Sequence, residues 1–207
     1  MRFILAIFFI IFILGFFIGY YFEKTSITYT KGEIETLKND VENTQLQVLF
    51  ASSEKECRLM LVAVNDISYN LYNLVNRLKE TNPNTEEFYQ IKKEADFLSM
   101  RAWILSRNVE ERCENQVLPI LFVYSINCLD CDQQDKDLQE TKDKYTNVLV
   151  YAVDYNLDET AVTLLKSAYE INSTPAMIIK GNLYNRLSKE ELENIVCSNI
   201  NCTSSTK

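Results

Sequence analysis

Apolar positions follow three different spacings along the chain, and each predicts a different element. From Phe3 to Phe22 they run together, interrupted only by Gly15 and Gly19. A helix needs about 20 such residues to cross the hydrocarbon core of a bilayer, so residues 1–24 are expected to be a transmembrane anchor. A cleaved signal peptide would have a shorter apolar region and a small-x-small site after it, whereas Tyr20-Tyr21-Phe22-Glu23-Lys24 follows here. The flanking charges are weak. Arg2 and the amino terminus stand on one side, and Glu23 and Lys24 cancel on the other. This predicts a single-pass protein of the cell membrane with a cytoplasmic N-terminus and an extracytoplasmic remainder.

The second spacing is helical. Ile34, Leu37, Val41 and Val48 recur on a polar background and predict an amphipathic helix from about Gly32 to Phe50. Cys57, Met60, Val64, Ile67, Leu71, Leu74 and Leu78 then alternate steps of three and four, the seam of a heptad repeat. Thr81-Asn-Pro-Asn-Thr85 interrupts that seam, with Pro83 as the stop and Asn84 or Thr85 as the next N-cap. Phe88, Ile91, Ala95, Leu98, Ala102, Leu105 and Val109 resume it, so residues 31–115 are expected to hold an antiparallel helical hairpin. Cys57 and Cys113 fall at its open end and are a candidate disulfide, the alternative being two buried thiols that fill the seam.

The third pattern is an α/β alternation, βαβαββα. Leu118 to Ser125 and Val148 to Val153 read as buried strands, with Asp132 to Tyr145 as the helix between them. Thr160 to Ile171 reads as a helix, Ala176 to Ile179 and Leu183 to Arg186 as short strands about Gly181, and Ser188 to Cys197 as a closing helix. Ser188 and Glu191 supply a capping box for the last of these.

Composition narrows the chemistry. The 207 residues leave room for one ordinary domain and a smaller module. A net charge of −8 with no basic cluster argues against nucleic acid as a partner. The absence of histidine excludes Ser-His and Cys-His nucleophiles, histidine-bound zinc and a Cys-x-x-Cys-His haem site. Carboxylates, hydroxyls, amines and thiols remain, and no cofactor is expected. Six cysteines, an even number, suit a compartment that permits disulfides.

Cys128 follows directly on the first predicted strand, and Cys131 opens the next helix. Unpaired backbone N–H groups and the helix dipole stabilise a thiolate at such a junction. With Tyr169-Glu-Ile171-Asn-Ser-Thr174-Pro175-Ala-Met-Ile-Ile179 and Leu187-Ser-Lys-Glu-Glu-Leu192 following in order, the stretch from about 117 to 197 resembles the thioredoxin superfamily. The resemblance implies that residues 116–200 are a thioredoxin-like domain, followed by a tail over 201–207. It also implies that Cys128 attacks, that Cys131 resolves the mixed disulfide, and that Thr174 presents its backbone to substrate beside a cis Pro175. Read alone, Pro175 is an ordinary strand-start proline.

The chain departs from the family pattern at several positions. Asn127 stands where a tryptophan is usual, Leu129-Asp130 where Gly-Pro is, and Phe122 where the preceding strand carries a buried acid. Proton transfer to Cys131 then lacks its usual helper. Asp130, Asp132 and Asp135 put negative charge near the thiols, which opposes thiolate formation and predicts a weaker oxidant. Cys197 and Cys202 either form a small disulfide or join Cys128 and Cys131 as four zinc ligands, the disulfide being favoured and no metal expected.

The expected function is a membrane-tethered thiol-disulfide oxidoreductase that acts on protein disulfides and exchanges electrons with a partner protein. In it the hairpin serves as spacer, substrate platform or homo-oligomer contact. A non-catalytic partner-binding module and a coiled-coil scaffold are the rivals.

Overall fold

The strand Leu118–Tyr124 (β1) is buried at every residue, as are Val148–Asp154 (β2) and Ala176–Ile179 (β3). Strands buried on both faces need helices on both sides, and the chain supplies them. The computed structural model describes residues 2–50, 54–80, 85–113, 116–200 and 202. The turn expected at Pro83 lies outside these residues, as does the tail apart from Cys202. Three helices precede the sheet: α1 (Arg2–Phe50), α2 (Glu54–Glu80) and α3 (Glu86–Arg112). Then come β1, α4 (Leu129–Lys144), β2, α5 (Thr160–Ala168), β3, β4 (Asn182–Tyr184) and α6 (Lys189–Asn199). The sheet order is β2-β1-β3-β4, with β1 and β2 parallel and the other two pairs antiparallel.

The expected membrane anchor over 1–24, and with it the single-pass cell-membrane location, is corrected. Among the described residues no helix is long and apolar enough to cross a membrane. The apolar run opens α1, one helix that continues unbroken to Phe50. The later turns of α1 bury Ile34, Leu37, Val41 and Thr44 against α2 and α3. The side chain of Val48 lies outside the described residues.

Helices α2 and α3 pack against each other, with Met60, Val64, Ile67, Leu71, Leu74 and Leu78 facing Ile91, Ala95, Leu98, Ala102, Leu105 and Val109 in one buried core. Thr85 caps α3 by accepting the Phe88 N–H at 3.1 Å. Cys57 and Cys113 are joined by a disulfide, 56 residues apart in sequence. Closing a loop of that length contributes about 4 kcal/mol on chain-entropy grounds. Among the described residues no cysteine is free, because Cys197–Cys202 and Cys128–Cys131 are also bonded.

The hairpin is fastened to the sheet. As an edge strand, β2 has backbone groups with no strand to pair them, and buried groups of that kind need other partners. The Ala152 N–H donates to Ser99 Oγ at 3.1 Å, and Val150 O accepts from Ser68 Oγ at 3.5 Å. The buried Tyr151 hydroxyl bonds Ser106 Oγ at 2.6 Å. Thus α2 and α3 close the open edge of the sheet with hydroxyl side chains. At the other end of the chain, Ser188 and Glu191 form the expected capping box of α6. Helix α5 stops at Ala168, before the expected Ile171, where Glu170 takes a left-handed φ of 56°.

Candidate redox site

The chain leaves β1 at Tyr124 and enters α4 at Leu129, a turn short enough to require Asn127 at a positive φ of 62°. Asparagine is one of the few side chains that tolerates this conformation, which accounts for its presence before the cysteine. Cys128 is the N-cap of α4, and its Sγ accepts the Cys131 N–H at 3.1 Å. Its carbonyl accepts the N–H groups of Cys131 and Asp132 at 3.0 and 3.1 Å. The helix begins earlier than the expected Asp132, so Cys131 lies within its first turn. The two cysteines differ sharply in access. Cys128 is half-buried at the surface, whereas Cys131 is 3% exposed.

The loop before β3 reaches the same place. Thr174 Oγ1 lies 4.0 Å from Cys128 Sγ and 2.7 Å from Ser125 Oγ at the end of β1, and the Thr174–Pro175 peptide is cis. Ile126 and Leu129 flank the pair and are 57% and 86% exposed, so apolar side chains rim the site. Cys128, Cys131, Thr174 and Pro175 therefore meet at one end of the sheet. Cys57–Cys113 lies apart, at the open end of the hairpin, and Cys197–Cys202 closes the end of α6. Among the described residues no acid or cysteine cluster of metal-binding geometry occurs, and the two bonded pairs leave no four-thiolate set.

Of the acids expected to burden the thiols, Asp130 pairs with Arg186 from the segment after β4, which offsets its charge. Asp135 accepts the neutral Tyr72 hydroxyl at 3.4 Å and keeps its charge. The opposition of Asp130 to a thiolate at Cys128 is correspondingly weaker than the sequence alone implies.

A cavity of about 280 Å³ lies behind the cysteines. Cys131, Asp132, Phe122, Tyr124, Lys92 and Asp96 all line it. Lys92 Nζ sits between two carboxylates, 2.8 Å from Asp96 Oδ2 and 2.7 Å from Asp154 Oδ2. Burial raises the Asp96 carboxyl to about 6 against the pull of Lys92, with the Asp154 charge adding to the rise. Burial alone would lower the Lys92 ammonium, but the two carboxylates outweigh it and hold it above its ordinary value. The available signal was a second stripe on α3, where Asp96, Ser99, Trp103, Ser106 and Glu110 repeat the three-four spacing and are all buried.

No family model matches the chain, and no curated protein does. Solved structures do. One, described as a malarial protein, has a TM-score of 0.34 and 14% identity, covering 40% of this chain and 97% of its own. Another is the germline-specific thioredoxin Deadhead of Drosophila melanogaster, with a TM-score of 0.33 and 18% identity, covering 45% of this chain and 92% of its own. A thioredoxin is thus among the structural neighbours, and at these scores neither likeness assigns a function.

Proposed function

We propose that the chain is a thiol-disulfide oxidoreductase of thioredoxin type, working on protein disulfides through Cys128 and Cys131, with residues 116–200 as the redox unit. The observation that carries the reading is Cys128 Sγ at the N-cap of α4, accepting the Cys131 N–H. In the dithiol form the same donor and the helix dipole favour a thiolate at Cys128. Each such interaction is worth about 0.3–1 kcal/mol at a helix terminus.

The half-buried Cys128 is the sulfur a protein disulfide can reach, and the buried Cys131 is within bonding distance of Cys128 alone. The Cys128 thiolate attacks one substrate sulfur, forms a mixed disulfide and expels the other as a thiolate. Cys131 then gives up its proton and attacks Cys128 Sγ, which releases the second substrate thiolate and leaves the Cys128–Cys131 disulfide. Two electrons pass from the dithiol to the substrate. A partner protein returns the pair to the dithiol form, or the cycle runs in reverse. Ile126, Leu129 and the Thr174–Pro175 segment form the surface on which the substrate chain lies.

The rival reading is a partner-binding module without turnover, favoured by Asn127 and Phe122 at positions where an active member carries tryptophan and an acid. Trapping separates the two. Cys131→Ser should accumulate a covalent adduct with an oxidised protein substrate, seen as a band shift on non-reducing gels that dithiothreitol abolishes. The Cys128→Ser, Cys131→Ser double variant should give none. Absence of any adduct in the single variant favours the binding module.

A further inference from the structure

Three charged side chains with one cation between two carboxylates carry a net negative charge, and here that charge is withdrawn from water. Asp96 is 1% exposed, and the Asp154 and Lys92 side chains are 6% and 12% exposed. An uncompensated buried charge is costly, so such a cluster takes up a proton more readily than free carboxylates do. Asp154 Oδ1 accepts the Asn156 N–H at 2.9 Å and its Oδ2 accepts Lys92. Asp96 also bonds Lys92 and the Asp154 backbone, but it is the more deeply buried of the two acids and faces the cavity, and burial raises its carboxyl, so it is the member that takes the proton. The groups facing it from the neighbouring elements are Lys92 on its own helix, Asp154 on β2, Tyr124 on β1, Cys131, Asp132 and Asp135 on α4, and Tyr72 on α2. Tyr124 is buried and its hydroxyl is pushed well above its ordinary value, which removes it as a proton acceptor.

Asp96 and Cys131 line the same cavity, which has room for several water molecules at roughly 30 Å³ each. We propose that Asp96, held by Lys92, is the positioning group that takes the proton of the Cys131 thiol through water in this cavity during resolution of the mixed disulfide. The helical hairpin thereby supplies the acid that β1, with Phe122 in place, does not. The balance is simple. The Cys131 proton passes to the Asp96 carboxylate, the Cys131–Cys128 bond forms as the Cys128–substrate bond breaks, and the proton then leaves Asp96 for solvent or the departing thiolate. A proton acceptor near pKa 6 is well matched to this transfer at neutral pH.

The inference rests on the redox reading of Cys128 and Cys131, and its test separates the two. The full chain, with Cys128 and Cys131 reduced, is mixed with oxidised glutathione, quenched by rapid alkylation and followed by mass for formation and loss of the Cys128-glutathione adduct between pH 5 and 9. Asp96→Asn leaves Lys92 paired with Asp154 and so keeps the fold. It should slow loss of the adduct by about 10²-fold at pH 7, the lower range for general acid-base catalysis. It should also move the inflection in the resolution rate from near 6 towards that of an unassisted thiol, near 8.5. Adduct formation should proceed at the wild-type rate, because a merely structural defect would slow both steps. Unchanged resolution and pH profile in Asp96→Asn overturns the inference and leaves the redox reading standing. If Asp96→Asn does not fold, the wild-type profile decides, and an inflection at the thiol's own value overturns the inference. No adduct at Cys128 in the wild type overturns both.

Discussion

Replacing Lys92 with methionine should cost the protein about 3–5 kcal/mol at pH 8, the range for removing one partner of a buried ion pair. The chain places Lys92 within 2.8 Å of both Asp96 and Asp154, and methionine would leave two buried carboxylates facing each other without a cation. The pH dependence fixes the cause. Asp96 already has a folded-state pKa of about 6, above its ordinary 3.8, so the native state binds more protons than the unfolded chain between those values. Stability contributed this way is present at low pH and lost as pH rises through about 6. Without Lys92 the Asp96 carboxyl moves higher still, and Lys92→Met should regain much of its lost stability between pH 8 and 5. Urea unfolding followed by circular dichroism at both pH values reads this directly, and a deficit independent of pH would assign the loss to packing instead.

The largest expected effect on activity comes from Cys128→Ser. A serine hydroxyl is not ionised near neutral pH and cannot be carried through a disulfide exchange, so reduction of insulin disulfides by the full chain should fall to the uncatalysed rate. Cys57→Ser with Cys113→Ser should keep its specific activity at temperatures where it remains folded, because that pair lies at the other end of the hairpin from the helix-cap thiol. Turnover that survives Cys128→Ser would transfer the chemistry to another cysteine pair.

Which parts of this architecture could be read from the sequence follows from how many faces each element buries. The seam from Met60 to Leu78 and from Ile91 to Val109 was legible because one apolar stripe at three-four spacing has one interpretation. The second stripe was not. Ser68 and Tyr72 on α2, and Asp96, Ser99, Ser106 and Glu110 on α3, lie outside the apolar spacing, yet they are buried. Several of them are satisfied by the open edge and side chains of β2, a partner that sequence spacing does not reveal. The Asp96 site escaped for the same reason. The cysteine pair was legible because its strand-to-helix position depends on local pattern alone, and α4 starts near enough to expectation to keep Cys128 at its cap. The N-terminal expectation failed at a boundary. An anchor over 1–24 and a separate amphipathic helix from about Gly32 were expected, but α1 runs through both as one helix from Arg2 to Phe50.

The measurement closest to the central claim is a redox titration of the full chain in graded glutathione buffers, with each cysteine pair followed by differential alkylation and peptide mass mapping. The Cys128–Cys131 bond should open and close reversibly at a midpoint where Cys57–Cys113 stays oxidised, since Cys128 Sγ is a helix N-cap that accepts the Cys131 N–H, a contact that favours a thiolate in the reduced state. If Cys128–Cys131 opens only together with Cys57–Cys113, or only as the chain unfolds, the pair is a structural bond and the oxidoreductase reading is contradicted.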